Sequence, residues 1–214
     1  MAYSLKMAKL DYLTVKSQMG GYITFPIVIA IFGFMGSSIT VLSITSAWLV
    51  ALFATNIFTV QEKNELERLY ASLSLDLKSI IAGRYVFVFV SYLFALILSM
   101  ILGTGILLLQ GNPVAFQDIP IAICVSLLVF SLIVGVQMPI YFRLGYSKGK
   151  AWSLLPFVLV MVIMILPSFM KAFSTAISAM MEHQTVLSIV CVLVSCIVLF
   201  VSYRSSMVCY KKRR

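Results

Sequence analysis

The chain has 214 residues, 62% of them hydrophobic and only 11% charged, where a soluble domain has about a quarter. Its 16 basic and 7 acidic residues leave a net charge of +9, spread over polar segments too short to build the folded basic surface that a nucleic-acid-binding domain needs. The composition therefore excludes a water-soluble enzyme and a nucleic-acid partner. It specifies an all-α, polytopic integral membrane protein with membrane lipids as its surroundings.

In chain order, residues 1–18 come first. They place Tyr3, Met7, Leu10 and Leu13 at helical spacing, with Lys6, Lys9 and Lys16 elsewhere around the barrel. That is the pattern of an interfacial helix on the inner membrane surface, with a frayed terminus as the alternative. Asp11 and Lys16 precede the first apolar run and no small-x-small site ends it, so the segment is not read as a cleavable signal peptide.

Uncharged runs then mark the spans: Ser17 to Gln61, Tyr85 to Gln117, Ile119 to Phe142, Ala151 to Met170 and Gln184 to Tyr203. About 20 residues cross the roughly 30 Å hydrocarbon core. The first run, 45 residues long, must therefore cross twice, turning at Gly36-Ser37-Ser38. Six transmembrane helices are predicted: Tyr22 to Ser37, Thr40 to Val60, Tyr85 to Leu109, Ile119 to Phe142, Trp152 to Pro167 and Val186 to Tyr203. Together they form one transmembrane domain over residues 1–214.

Small residues recur every fourth position at Ser43, Ala47, Ala51 and Thr55, at Ala95, Ser99 and Gly103, and at Ser131 and Gly135. Such ridges let helix backbones approach closely in lipid. Ser43, Ala47, Ala51 and Asn56 in the second span, with Phe157 and Met161 in the fifth, are the candidates for pathway lining or helix packing. The fifth span is short. In the stretch after it, residues 168–184, Phe169, Phe173, Ala176, Ile177 and Met180 share a helical face. This suggests a short extracellular or re-entrant helix, or else one long kinked fifth helix.

Orientation follows from Lys and Arg, which resist translocation. Fifteen of the 16 basic residues fall in the N-terminus, the loops after the second and fourth helices and the tail, and only Lys171 falls on the other side. Both termini are expected in the cytoplasm. The terminal "YKKRR" is a topology anchor that can also touch anionic headgroups.

No Asp, Glu, Lys, Arg or His lies inside a predicted span, and Asn56 and Gln137 are the clearest amides there. Ion-coupled carriers place ionisable groups near the midplane, so a secondary transporter is disfavoured, and so is an intramembrane enzyme. The single histidine, His183, sits beside Glu182 in an outer loop and reads as solvated. Cys124, Cys191, Cys196 and Cys209 make neither a disulfide framework nor a metal set. "GYSKGK", residues 145–150, is one residue short of a phosphate-binding loop, continues with Ala151 in place of Ser or Thr and follows no strand. It reads as a basic cytoplasmic turn.

The remaining feature is the segment from Glu62 to Tyr85, which carries eight of the 23 formal charges. Leu66, Leu69, Tyr70, Leu73, Leu77, Ile80 and Ile81 keep helical spacing, Glu65 and Arg68 form a favourable i, i+3 pair, and Ser74 is a plausible N-cap ahead of Asp76. A helix merely resting on an anionic leaflet has no use for Glu62, Glu65 and Glu67, so a protein partner explains the cluster better.

The stretch "NELERLYASLSLDLKSIIAGRYV" resembles the coupling segment of type-two ABC transporter membrane subunits, with Glu67, Leu69, Ser72, Leu73, Lys78, Ile80, Ile81, Gly83 and Arg84 as the matching positions. Many members have Pro where this chain has Ser74, and a basic residue near Asp76 or Leu77. The small size is similar to that of Gram-positive permeases exporting amphipathic peptides. The resemblance implies a non-catalytic permease in a bacterial plasma membrane, paired with itself or with a related permease. Each permease would rest on one of two separate ABC ATPase subunits that bind ATP and Mg; no cofactor is expected in this chain. The ATPase-coupling residues it implies are Glu62, Glu65, Glu67, Arg68, Leu69, Tyr70, Leu73, Ser74 and Lys78. A pathway without charges, in a chain with 12 Met and 15 Phe, favours hydrophobic or amphipathic cargo such as peptides, toxins or antimicrobials. A non-transport immunity or sensor protein that captures amphipathic peptides, needing no ATPase, is the alternative.

Overall fold

The computed structural model describes residues 2–15, 23–66, 77–111, 118–169 and 184–213. Among them every extended element is an α-helix: α1 (Ala2–Val15), α2 (Thr24–Phe34), α3 (Ile39–Lys63), α4 (Leu77–Leu109), α5 (Ile119–Trp152), α6 (Leu155–Phe169) and α7 (Gln184–Arg213). By length and composition α3, α4, α5 and α7 can each cross a bilayer. The apolar helices α2 and α6 have 11 and 15 residues, below the roughly 20 that a crossing takes. Among the described residues there are thus four candidate spans of the six expected, and α2 and α6 each border residues outside that set.

α2 and α3 form a hairpin at the expected turn. Gly36, at φ +79°, lets the Ser37 N–H reach the Phe32 carbonyl at 3.2 Å and its own N–H reach Gly33 at 3.0 Å, which closes the last turn of α2. Ser38 then caps α3, its hydroxyl accepting from the Val41 N–H at 3.4 Å.

The core is the meeting of α3, α4, α5 and α7, with α1 and α2 laid against α4. The small-residue ridges are buried at Ser43, Ala47 and Ala51 on α3, Ala95, Ser99 and Gly103 on α4, and Ser131 and Gly135 on α5, while Thr55 at the end of the first is half-buried. Two buried hydroxyls where α3 meets α5 return to backbone carbonyls, which satisfies them where no water reaches. Ser43 donates to Ile39 at 2.8 Å, and Ser126 crosses from α5 to the Ser43 carbonyl at 2.8 Å. Tyr92 donates to Ser126 at 3.1 Å and stacks on Phe130 with centroids 4.2 Å apart. Large apolar side chains on the outer faces of α4 and α7, among them Phe94, Ile101, Ile197 and Phe200, remain exposed, as lipid-facing surfaces do.

Three boundaries differ from expectation. α4 starts at Leu77, eight residues before the predicted span, so Arg84 lies inside a helix and not in a loop. The basic stretch 143–150, read as a turn, is helical apart from one residue, Gly145 at φ +76° and ψ −178°. The tail is helical as far as Arg213, since nothing between Tyr203 and Lys212 breaks the pattern. The insertion proposed over 168–184 falls, from residue 170 to 183, outside the described residues.

Candidate functional site

Asp118 aside, the described charged residues gather where α1, the end of α3, the start of α4, the end of α5 and the last turns of α7 meet. The heart of this junction is Arg84. It shares an apolar stripe of α4 with Ile80, Ile81 and Val88 and is only 1% exposed. Its guanidinium lies over the rings of Phe58 from α3 at 4.8 Å and Phe142 from α5 at 5.4 Å. Phe142 in turn meets Tyr210 of α7 at 5.4 Å, so one cation touches three helices and abuts a fourth.

Its counter-charge is Asp11 of α1, also 1% exposed, with Oδ2 4.0 Å from the Arg84 Nε. The geometry is not that of a bonded pair. The Asp11 Oδ2 and the Arg84 Nε and Nη2 find no hydrogen-bond partner among the described residues. Burial pushes the Asp11 carboxyl up to about 6, with the Arg84 charge pulling the other way. Beside the pair, Met7 of α1 packs on Ile80, with Leu10 and Leu66 against them. The N-terminal helix and the entry to the 62–84 segment thereby share one apolar contact.

A second carboxylate joins a second pair of elements. Gly145 interrupts α5, so Tyr146 and Ser147 open a new helical piece and their N–H groups have no partner within it. Glu62, at the end of α3, supplies one: its Oε2 accepts from Tyr146 N–H at 2.7 Å and from Ser147 N–H at 3.1 Å, and its Oε1 accepts from the Ser147 hydroxyl. The corner is braced from behind. Tyr141 stacks on Phe58 at 4.8 Å and donates to Ser153 at 2.7 Å. Thus the segment "GYSKGK" does hold a carboxylate on helix-opening N–H groups, and it is the chain's own Glu62.

Of the predicted coupling residues, Glu62 is thus engaged within the chain. Glu65 follows it in a left-handed turn at φ +48°, and Lys78 is exposed on the first turn of α4. Glu67, Arg68, Leu69, Tyr70, Leu73 and Ser74 lie outside the described residues, as does Lys16. Lys9 is exposed and Leu10 half-buried on α1; Lys6 falls within α1. Among the packing candidates Ser43, Ala47, Ala51 and Phe157 are buried, Phe157 edge-on to Trp48 at 5.7 Å, and Asn56 is half-buried. Met161 is 53% exposed.

Sequence reasoning missed Asp11 and Arg84 as a pair. The signals were there: Asp11 is the only acid in the first 61 residues, and Arg84 falls on the same helical stripe as Ile80 and Val88.

A family model described as ABC-2 family transporter protein matches residues 6–211, nearly the whole chain. No curated protein and no solved structure matches.

Proposed function

We propose, from the premise that the chain belongs to the ABC-2 family of transporter proteins and is the membrane subunit of a type-two ABC transporter, that it is the permease of an exporter for hydrophobic or amphipathic cargo, peptides foremost. Two such subunits, identical or related, enclose the pathway, and six crossings per chain leave both termini in the cytoplasm of a bacterial cell. ATP and Mg are held by two separate ATPase subunits that dock on residues 62–74. The permease itself performs no chemistry.

The observation that carries this reading is the junction at the charged end. Glu62 ties the end of α3 to the α5–α6 corner, and Arg84 gathers α1, α3, α4 and α5 around one buried charge. A push on residues 62–74 therefore reaches the ends of every helix that meets there, because a packed junction passes a rigid displacement on to its neighbours. Transmission of this kind needs a joint held by a few specific contacts.

The test is charge reversal in the proposed docking surface. Glu67→Lys or Arg68→Glu should leave the protein in the membrane and reduce substrate-stimulated ATP hydrolysis by the complex. Undiminished stimulation in both variants counts against docking at 62–74.

A further inference from the structure

On the flank of the junction, α1 roofs a hollow of about 590 Å³, within the range of about 300–1,000 Å³ seen for ligand pockets. Ala8 and Tyr12 of α1, Phe25 of α2, Val50 of α3 and Val90 and Phe94 of α4 line it. The lining is apolar. Ser91, its one hydroxyl besides Tyr12, is committed to the Phe87 carbonyl of its own helix at 2.9 Å. Apolar hollows do not hold water and take up apolar ligands.

The faces of α1 define the site. Met7 and Asp11 turn to the core, Ala8 and Tyr12 turn to the hollow, and Lys9 is exposed beside them. Val90 and Phe94 are 56% and 71% exposed, so the hollow opens outward along α4. An aliphatic ligand entering by that side meets Tyr12 at the end that carries α1, with the exposed Lys9 on the next face of the same helix, an arrangement that suits a headgroup at a membrane interface. The mouth on the outward face of α4 selects a membrane lipid, and the exposed Lys9 selects an anionic headgroup over a neutral one.

We propose that this hollow binds one acyl chain of an anionic membrane phospholipid, with Lys9 holding the headgroup at its mouth. The bound chain lies against the Ala8 and Tyr12 face of α1, beside the face that carries Asp11. Binding here needs neither an ATPase nor a transported substrate, so its failure leaves the transporter reading standing.

The test is native mass spectrometry of the full chain, reconstituted in nanodiscs of equimolar dioleoyl phosphatidylglycerol and dioleoyl phosphatidylcholine and released into mild detergent. About one phosphatidylglycerol per chain should remain bound. Val90→Trp and Ala8→Trp, which fill the hollow from its two walls, should each abolish retention, and Leu108→Trp, on an exposed position near the other end of α4, should not. Lys9→Gln should keep a lipid bound but lower the preference for phosphatidylglycerol about fivefold, as loss of one lysine near an anionic surface predicts. Should Ala8→Trp fail to fold, Val90→Trp alone decides. Equal retention in wild type and Val90→Trp overturns the site, an unchanged headgroup preference in Lys9→Gln overturns the role of the lysine, and a lipid-free dimer broken by Val90→Trp assigns the hollow to a second copy.

Discussion

Where α3 meets α5, three small hydroxyls are satisfied: Ser43, Ser46 and Ser126 each place their hydroxyl on a backbone carbonyl within 2.8 Å. Where α1 meets α4, a full positive and a full negative charge are buried 4.0 Å apart, with three of their polar atoms unpartnered. The first interface is fixed by volume, and helix ridges of Ala and Ser would pack the same way in many bundles. The second carries buried charge, and Arg84 offsets only part of the cost of burying the Asp11 carboxylate, whose carboxyl stays above its ordinary range. The membrane part is therefore built to stay, and the charged end to be sensitive to its partners.

The largest way to break this contrast is Arg84→Ala. It strands Asp11 in the core and empties the space between Phe58 and Phe142, and should cost about 3–5 kcal/mol, read as a fall in thermal midpoint in detergent. Removing both charges by Arg84→Met with Asp11→Leu should restore most of that loss, because apolar side chains of similar volume replace buried ion pairs at little cost.

Next is pH. The Asp11 carboxyl is held at about 6 in the folded chain against 3.8 in the open, so the docked state binds its proton more tightly. Docking stability is then greatest below about pH 4, is lost as pH rises to about 6, and is level above that. The change is on the order of 2–3 kcal/mol. Hydrogen exchange of α1 should be slower at pH 4.5 than at pH 7 after correction for the intrinsic rate, and Asp11→Asn should remove the difference.

The volume side is sharpened by Gly135→Val. A Cβ at Gly135 would sit 2.7 Å from Val198 Cγ1, so α5 and α7 must separate, at about 1–3 kcal/mol and without any dependence on pH. The smallest effect is expected of Glu62→Gln, which weakens an exposed helix-capping contact by about 0.3–1 kcal/mol. Its readout is local: faster amide exchange at Tyr146 and Ser147 with the thermal midpoint nearly unchanged.

The same contrast explains what could be read beforehand. The ridge of Ser43, Ala47 and Ala51 is a property of one helix, and its period of four announces burial without knowledge of the partner. The turn at Gly36 and Ser38 is likewise local. Arg84 was counted among loop charges because a lone cation between apolar runs ordinarily ends a span. Its burial depends on Asp11, 73 positions earlier, and on rings from two other helices. The helical piece after Gly145 was hidden for a similar reason: two glycines and two lysines in six residues spell a turn, and only Glu62, from another helix, rewards the helix that forms there. Period and turn chemistry carry the membrane part, and pairing across the chain carries the junction.

The central claim, that this chain is the membrane half of an ATP-driven transporter, is tested most directly by affinity purification of the tagged protein from its native membrane in mild detergent. Bound proteins would be identified by mass spectrometry and ATP hydrolysis measured on the same sample. The account predicts an ABC ATPase subunit in equal amount with the chain and ATP hydrolysis by the purified complex. A chain that purifies with no ATPase, and a sample that hydrolyses no ATP, would contradict it.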